Sequence, residues 1–190
     1  MEPVMRALLP RLLGTTSFEV HPHLCKADLL AKLPARLRGY RRWLPVDWRI
    51  VVVLDRDGED CHSLKRRLEH TAEAADMVTR PASRGRPYQV VNRLVVEELE
   101  AWYFGDWHAV RVAYPRASPG IPAKASYRDP DGIRGGTCEV FERILQKAGY
   151  FAGGLRKVEA ARAIAPHMAP DTNTSASFKA FRDALREMAT

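Results

Sequence analysis

The run Ile50-Val51-Val52-Val53-Leu54 has no polar interruption and passes straight into Asp55-Arg56-Asp57-Gly58. A strand without polar alternation is expected to be buried on both faces, as in the central parallel strand of an α/β domain. The two acids that follow are the second constraint. Residues two apart along a strand point to the same side. The pattern therefore aims Asp55 and Asp57 together at the carboxyl end of the strand, the edge where open α/β sheets bind ligands. Carboxylates held this close repel unless a cation lies between them, and hard oxygen donors with room for water suit Mg²⁺ or Mn²⁺. The same residues also fit a solubilising turn, with Asp57-Gly58 supplying its geometry.

A second buried strand is expected over Gln89 to Val96, running directly into Glu97-Glu98-Leu99-Glu100-Ala101-Trp102. An acid at the end of a neighbouring strand could complete a metal site, and Trp102 would pack the first helical turn against the sheet and fix the direction of Glu100. An acidic first turn is also favourable for the helix dipole alone. Further on, Lys157 and Glu159 open the helix that begins at Arg156. A lysine near a metal site can neutralise charge developing on a phosphoryl group, although on an amphipathic helix such a lysine also serves simply as a solvated residue.

Around these motifs the periodicity is mostly helical. Val4, Met5, Leu8, Leu9, Leu12 and Leu13 recur at helical spacing before Gly14, and Phe18 and Val20 alternate as in a short strand. Lys26 to Leu44 is a basic amphipathic stretch in which Pro34 is expected to kink or restart the helix. Asp60 or Ser63 could cap a helix containing Leu64 and Leu68. Arg80 to Pro87 is expected to be a loop, and Pro115 to Gly136 a long irregular one. Helices are expected at about Thr137–Lys147, Arg156–His167 and Ser177–Met188. This order suggests an α/β core over residues 1–114, with residues 115–190 forming a loop and a helical part packed on the same domain.

Thirty Lys and Arg against 23 Asp and Glu give a formal charge of +7. Such an excess favours phosphate-rich partners, because basic side chains release condensed counterions on binding nucleic acid. Cys25, Cys61 and Cys138 are far apart and form no C-x-x-C pair, so free thiols are expected and zinc is set aside. No apolar run approaches the roughly 18 residues of a membrane span, and the start lacks the pattern of a signal peptide. The expectation is a cytoplasmic protein without a membrane partner.

Several segments together resemble an uncharacterised bacterial family, the domain-of-unknown-function family numbered 4276. They are ALLPRLLG at Ala7–Gly14, LPARLRGY at Leu33–Tyr40, WRIVVVLDRD at Trp48–Asp57, EELEAWYFGD at Glu97–Asp106, YRDPDGIRGGT at Tyr127–Thr137 and LRKVEAARAIAPHM at Leu155–Met168. The family looks Toprim-like, akin to the nuclease domains of overcoming-lysogenization-defect and RloB-type proteins, which often act beside an ATPase in phage defence or DNA processing. The resemblance implies a mostly parallel sheet flanked by helices, with a helical C-terminal part. It also implies that Asp55 and Asp57 match the Toprim D-x-D, that Glu100 matches the acid of an E-x-W motif, and that Lys157 falls where related nucleases place a lysine. Asp55, Asp57, Glu100 and Glu2 would then bind Mg²⁺ or Mn²⁺, and Lys157 would join Asp55, Asp57 and Glu100 in catalysis. Toprim domains open with a strand ending in a glutamate. Here Met1 already falls in the first helix, so that strand is expected to be missing, with Glu2 matching a second acidic position.

The leading expectation is a Mg²⁺-dependent nuclease, or a nuclease-derived subunit, with nucleic acid as substrate and an ATPase as possible partner. The alternative is a non-catalytic module whose basic face, including Arg36, Arg38, Lys65, Arg66 and Arg67, docks nucleic acid or a partner protein. Primase or topoisomerase chemistry is a third reading, but no tyrosine has the context of a nucleophile.

Overall fold

The computed structural model describes residues 1–189. In chain order the first elements are α1 (Glu2–Leu13), α2 (Lys26–Trp43), β1 (Ile50–Asp55), α3 (Cys61–Glu73), α4 (Arg80–Ser83) and β2 (Val90–Val95). They are followed by α5 (Glu100–Gly105), α6 (Trp107–Ala113), α7 (Thr137–Lys147), α8 (Lys157–Ile164) and α9 (Ala176–Ala189). The protein is thus mixed α/β, with one sheet of two parallel strands and, among the described residues, nine α-helices. None of these helices is long and apolar enough to cross a membrane. The chain groups into two compact units. One is His21–Leu94, and the other combines Met1–Val20 with the residues from Val95 onward. This grouping crosses the 1–114 and 115–190 segments drawn from the sequence.

The His21–Leu94 unit has a single core. Leu33 and Leu37 of α2, Leu64 and Leu68 of α3, Val52 and Leu54 of β1, and Val90 of β2 meet there. β1 shows an alternating pattern, with Val52 and Leu54 buried and Val51 and Val53 half-buried. Burial on both faces was expected, but only one side of this narrow sheet meets the α2–α3 layer. Pro34 does not restart α2, which runs from Lys26 to Trp43. A helix tolerates the lost N–H when packing through neighbours such as Leu33 and Leu37 holds the turn. Asp60 caps α3, accepting the Ser63 N–H at 2.8 Å. The segment around Phe18 and Val20 forms no strand.

Lys65 and Glu69 lie one turn apart on α3 and turn toward β2. Their side chains pair at 3.2 Å, Lys65 donates to the Asn92 carbonyl, and the buried Asn92 amide donates to Glu69 at 3.0 Å. Burial alone would raise the Glu69 pKa, but hydrogen bonds from Thr79 and Asn92 and the Lys65 charge outweigh it and hold the group below its ordinary value. A lowered folded-state pKa contributes stability that is complete above the unfolded-chain value of about 4.3 and is lost as pH falls through the folded value. Glu69→Gln is therefore expected to lower the urea midpoint at neutral pH, with the gap to the parent closing below about pH 4. A gap that stays constant from neutral pH into acid would remove Glu69 from that role.

The second unit is helical. α1 packs on α8 and α9, and α5 packs on α6 and α7. Trp102 is fully buried, edge-on to Phe178 at 5.0 Å and stacked on Phe181 at 5.1 Å. Gly105 passes so close to Asn173 and Ser175 that a Cβ there would overlap the Asn173 side chain and the Ser175 backbone. This close approach lets Thr174 N–H reach the Gly105 carbonyl at 2.9 Å and Asn173 reach the Trp102 carbonyl at 2.9 Å. The expected irregular stretch before α7 is present, with two short 3-10 turns. Asp131 in one of these accepts the Ser177 N–H at 2.7 Å and so caps α9.

Candidate functional site

β2 ends at Val95, and the chain turns through Glu97, whose φ of 60° is left-handed. The turn brings Glu98 and Glu100 to the start of α5, two residues apart. Glu98 is a three-way tie. Its Oε2 accepts the Cys138 backbone N–H at 2.9 Å and the Thr137 hydroxyl at 3.4 Å, both in the first turn of α7. Its Oε1 accepts from Lys157 Nζ, at the first residue of α8, at 3.3 Å. The carboxylate thus satisfies an N-terminal N–H of α7 that has no partner within the helix, and places negative charge at the positive end of the helix dipole.

Glu100 lies beside this tie and is only 3% exposed. One ligand atom each from Glu98, Glu100 and Cys138 falls within 4.8 Å of the others. No other group of three His, Cys, Asp or Glu donors converges in this way among the described residues. Burial raises the Glu100 pKa, Lys157 opposes the rise, and Glu98 adds to it. Burial also pushes the Cys138 thiol up to about 11, with Glu100 acting in the same direction and Lys157 against it. For Lys157, burial disfavours the charge, yet Glu100, Cys138 and Glu98 outweigh it and hold the ammonium above its usual pKa. The arrangement can hold a cation between two carboxylates, or keep a buried carboxyl poised to exchange a proton.

The domain-of-unknown-function model DUF4276 matches residues 1–186. The chain belongs to this family. No curated protein and no solved structure matches it.

Within this DUF4276 chain, the residues singled out by sequence take different positions. Glu100 and Lys157 come together although they are far apart in sequence, because α5 and α8 both start at the cluster. Glu2, the first residue of α1, pairs with Arg6 at 2.7 Å and is not among the clustered donors. Asp55 and Asp57 belong to the His21–Leu94 unit. Asp55 is the last residue of β1 and is half-buried. The strand stops there, and Asp57 sits in the following turn with a left-handed φ of 51°. Side-chain alternation therefore does not extend from Asp55 to Asp57. Lys26 pins this turn, donating to the Arg56 carbonyl at 2.6 Å and pairing with Glu59 at 2.6 Å and Asp57 at 3.6 Å.

Cys138 was expected only as a free thiol, and it is free and buried. Its place in the cluster follows from the first turn of α7, where Gly135 and Gly136 take positive φ. The two glycines were the sole sequence sign that this helix start is tightly turned. Glu98 stood in the acidic cluster and could have been found by its i, i+2 relation to Glu100.

Proposed function

We infer that this chain supports divalent-metal-dependent hydrolysis of nucleic-acid phosphodiester bonds. The observation that carries the reading is the convergence of Glu98, Glu100 and Lys157, two carboxylates and an ammonium drawn from the starts of two helices. The carboxylates are hard oxygen donors that fit Mg²⁺ or Mn²⁺. The Cys138 thiol, with its pKa pushed up to about 11, stays protonated at neutral pH and is a poor donor for such an ion. When bound, the metal would supply charge stabilisation and acidify coordinated water.

The residues of the chain do the rest. Glu98 and Glu100 would hold the ion, with Glu98 kept in place by the first turn of α7. The Lys157 ammonium, kept charged by its acidic neighbours, is suited to stabilise charge developing on a phosphoryl oxygen. Asp55 and Asp57 are the candidate acids of the other unit and are tested by their own variants. Action beside an ATPase, in phage defence or DNA processing, forms part of the same proposal.

The test is cleavage of end-labelled DNA and RNA with Mg²⁺, with Mn²⁺ and with EDTA. Cleavage is expected only with a divalent ion, and is expected to be lost in Glu98→Gln; Asp55→Ala tests separately whether the other unit contributes. A protein that neither cleaves nor binds Mn²⁺ by calorimetry would sink the reading. A second reading, a non-catalytic nucleic-acid-binding module, is favoured by the distribution of charge. Residues 21–94 hold 15 Lys and Arg against 9 Asp and Glu, whereas the remaining residues hold 15 against 14. Binding in EDTA that Asp55→Ala leaves intact, without cleavage in any metal, would select it.

A further inference from the structure

Part of the charge excess of the His21–Leu94 unit lies along one groove. Arg66, Arg67 and His70 stand on the exposed side of α3 beside an open groove of about 550 Å³ between α3 and α2. Ser63, Thr71 and Ala74 share that face at i, i+3 and i+4 spacing, and Pro34 of α2 closes the far side. Arg38 and Arg41 follow Pro34 at i+4 and i+7, so they continue the α2 rim. Arg41 donates to the Asp76 carbonyl just beyond α3 at 3.0 Å, which ties this side of α2 to the α3 end of the groove. Arg66 bonds only the Ser63 hydroxyl, at 3.0 Å, and is drawn weakly by Asp60. Among the described residues, neither Arg38 nor Arg67 has an ion-pair partner. Lys65, expected on this basic face, is not part of it, because it points to Asn92 and Glu69.

We propose that the α2–α3 groove is the docking track for a single strand of nucleic acid. Arginines left without carboxylate partners on both rims complement a run of phosphates, and guanidinium groups bind phosphate through paired N–H donors. The small side chains along the groove leave room for sugar rings between the rims. The groove, at about 550 Å³ and open on one side, has room for a short stretch of one extended strand. A duplex carries two backbones and is too bulky for a groove of this volume, so it would lie across the rims instead of entering. The proposal rests on nucleic acid being the partner, but not on whether the chain cleaves it.

The experiment measures binding of the full chain to a fluorescent single strand of about 16 nucleotides, in EDTA, across a salt series. Arg66→Ala with Arg67→Ala is expected to weaken binding by about tenfold or more and to lower the salt slope by about 1.4, or about 0.7 for each phosphate that is no longer neutralised. Arg111→Ala with Lys147→Ala removes the same charge from exposed positions in the other unit and is expected to leave binding within about twofold of the parent. Circular dichroism checks that both variants keep the parental fold. Unchanged affinity in the groove variant, equal losses in the two variants, or tighter binding to the duplex or to heparin would overturn the proposal. Cleavage by the parent with Mn²⁺ is scored separately. Groove-dependent binding without cleavage rejects the nuclease reading alone, and cleavage with groove-independent binding rejects the groove alone.

Discussion

Glu100→Gln is expected to lower metal-dependent cleavage by about 10²–10³-fold while making the folded protein more stable. The two effects have one cause. Glu100 is almost fully buried, and burial raises its pKa despite the opposing charge of Lys157. A raised folded-state pKa means that stability is complete below the unfolded-chain value of about 4.3 and is lost as pH rises through the folded value. Above the unfolded-chain value, burying this carboxyl therefore costs stability, and an isosteric neutral amide removes that cost. Lys157 keeps Glu98 as a partner at 3.3 Å, so the substitution does not strand the ammonium. The midpoint of thermal unfolding should rise by about 2–4 °C for each kcal/mol recovered, and the gain should grow from acid toward neutral pH. A variant that cleaves at the parental rate would remove Glu100 from the centre. A lower midpoint would show that the pairing of Glu100, and not its burial, dominates.

Trp102→Ala is expected to cost about 3–5 kcal/mol, which is much of the total stability of a domain of this size. The indole is fully buried between Phe178 and Phe181, and its Nε1–H donates to the Ser177 hydroxyl at 3.0 Å. Truncation leaves a cavity that these rings, anchored in α9, can only partly fill. The midpoint should fall by roughly 6–20 °C. Trp102→Phe keeps a ring and loses only the N–H, so its cost should be well below that of alanine. Trp102 is two residues from Glu100 on α5, so loosening it should also disturb the acidic cluster. Thermal unfolding by circular dichroism checks the order, and an alanine variant within about 2 °C of the parent would contradict this packing.

What was legible in the sequence lay in local patterns. The helical register of α7, the long amphipathic α2, the strand over Ile50–Leu54 and the buried tryptophan beside an acidic cluster all follow from spacing over a few residues. Each of those preferences is set by neighbours along the chain. The edges were less legible. Pro34 carries a local signal to restart a helix, and α2 runs through it. The alternation from Asp55 to Asp57 assumed a strand that continues, whereas a left-handed residue ends it.

The acidic centre shows the same division. By itself the sequence determined that acids follow β2, that Trp102 is buried behind them and that a lysine opens a later helix. Only the tertiary structure decided that Glu98 ties together residues 40 and 59 positions away, and that Cys138 joins Glu100. No periodicity encodes such meetings, because they arise from how α5, α7 and α8 pack. That packing also supplies the burial that shifts Glu100 and Cys138, and burial is a property of the assembled core that no single segment carries.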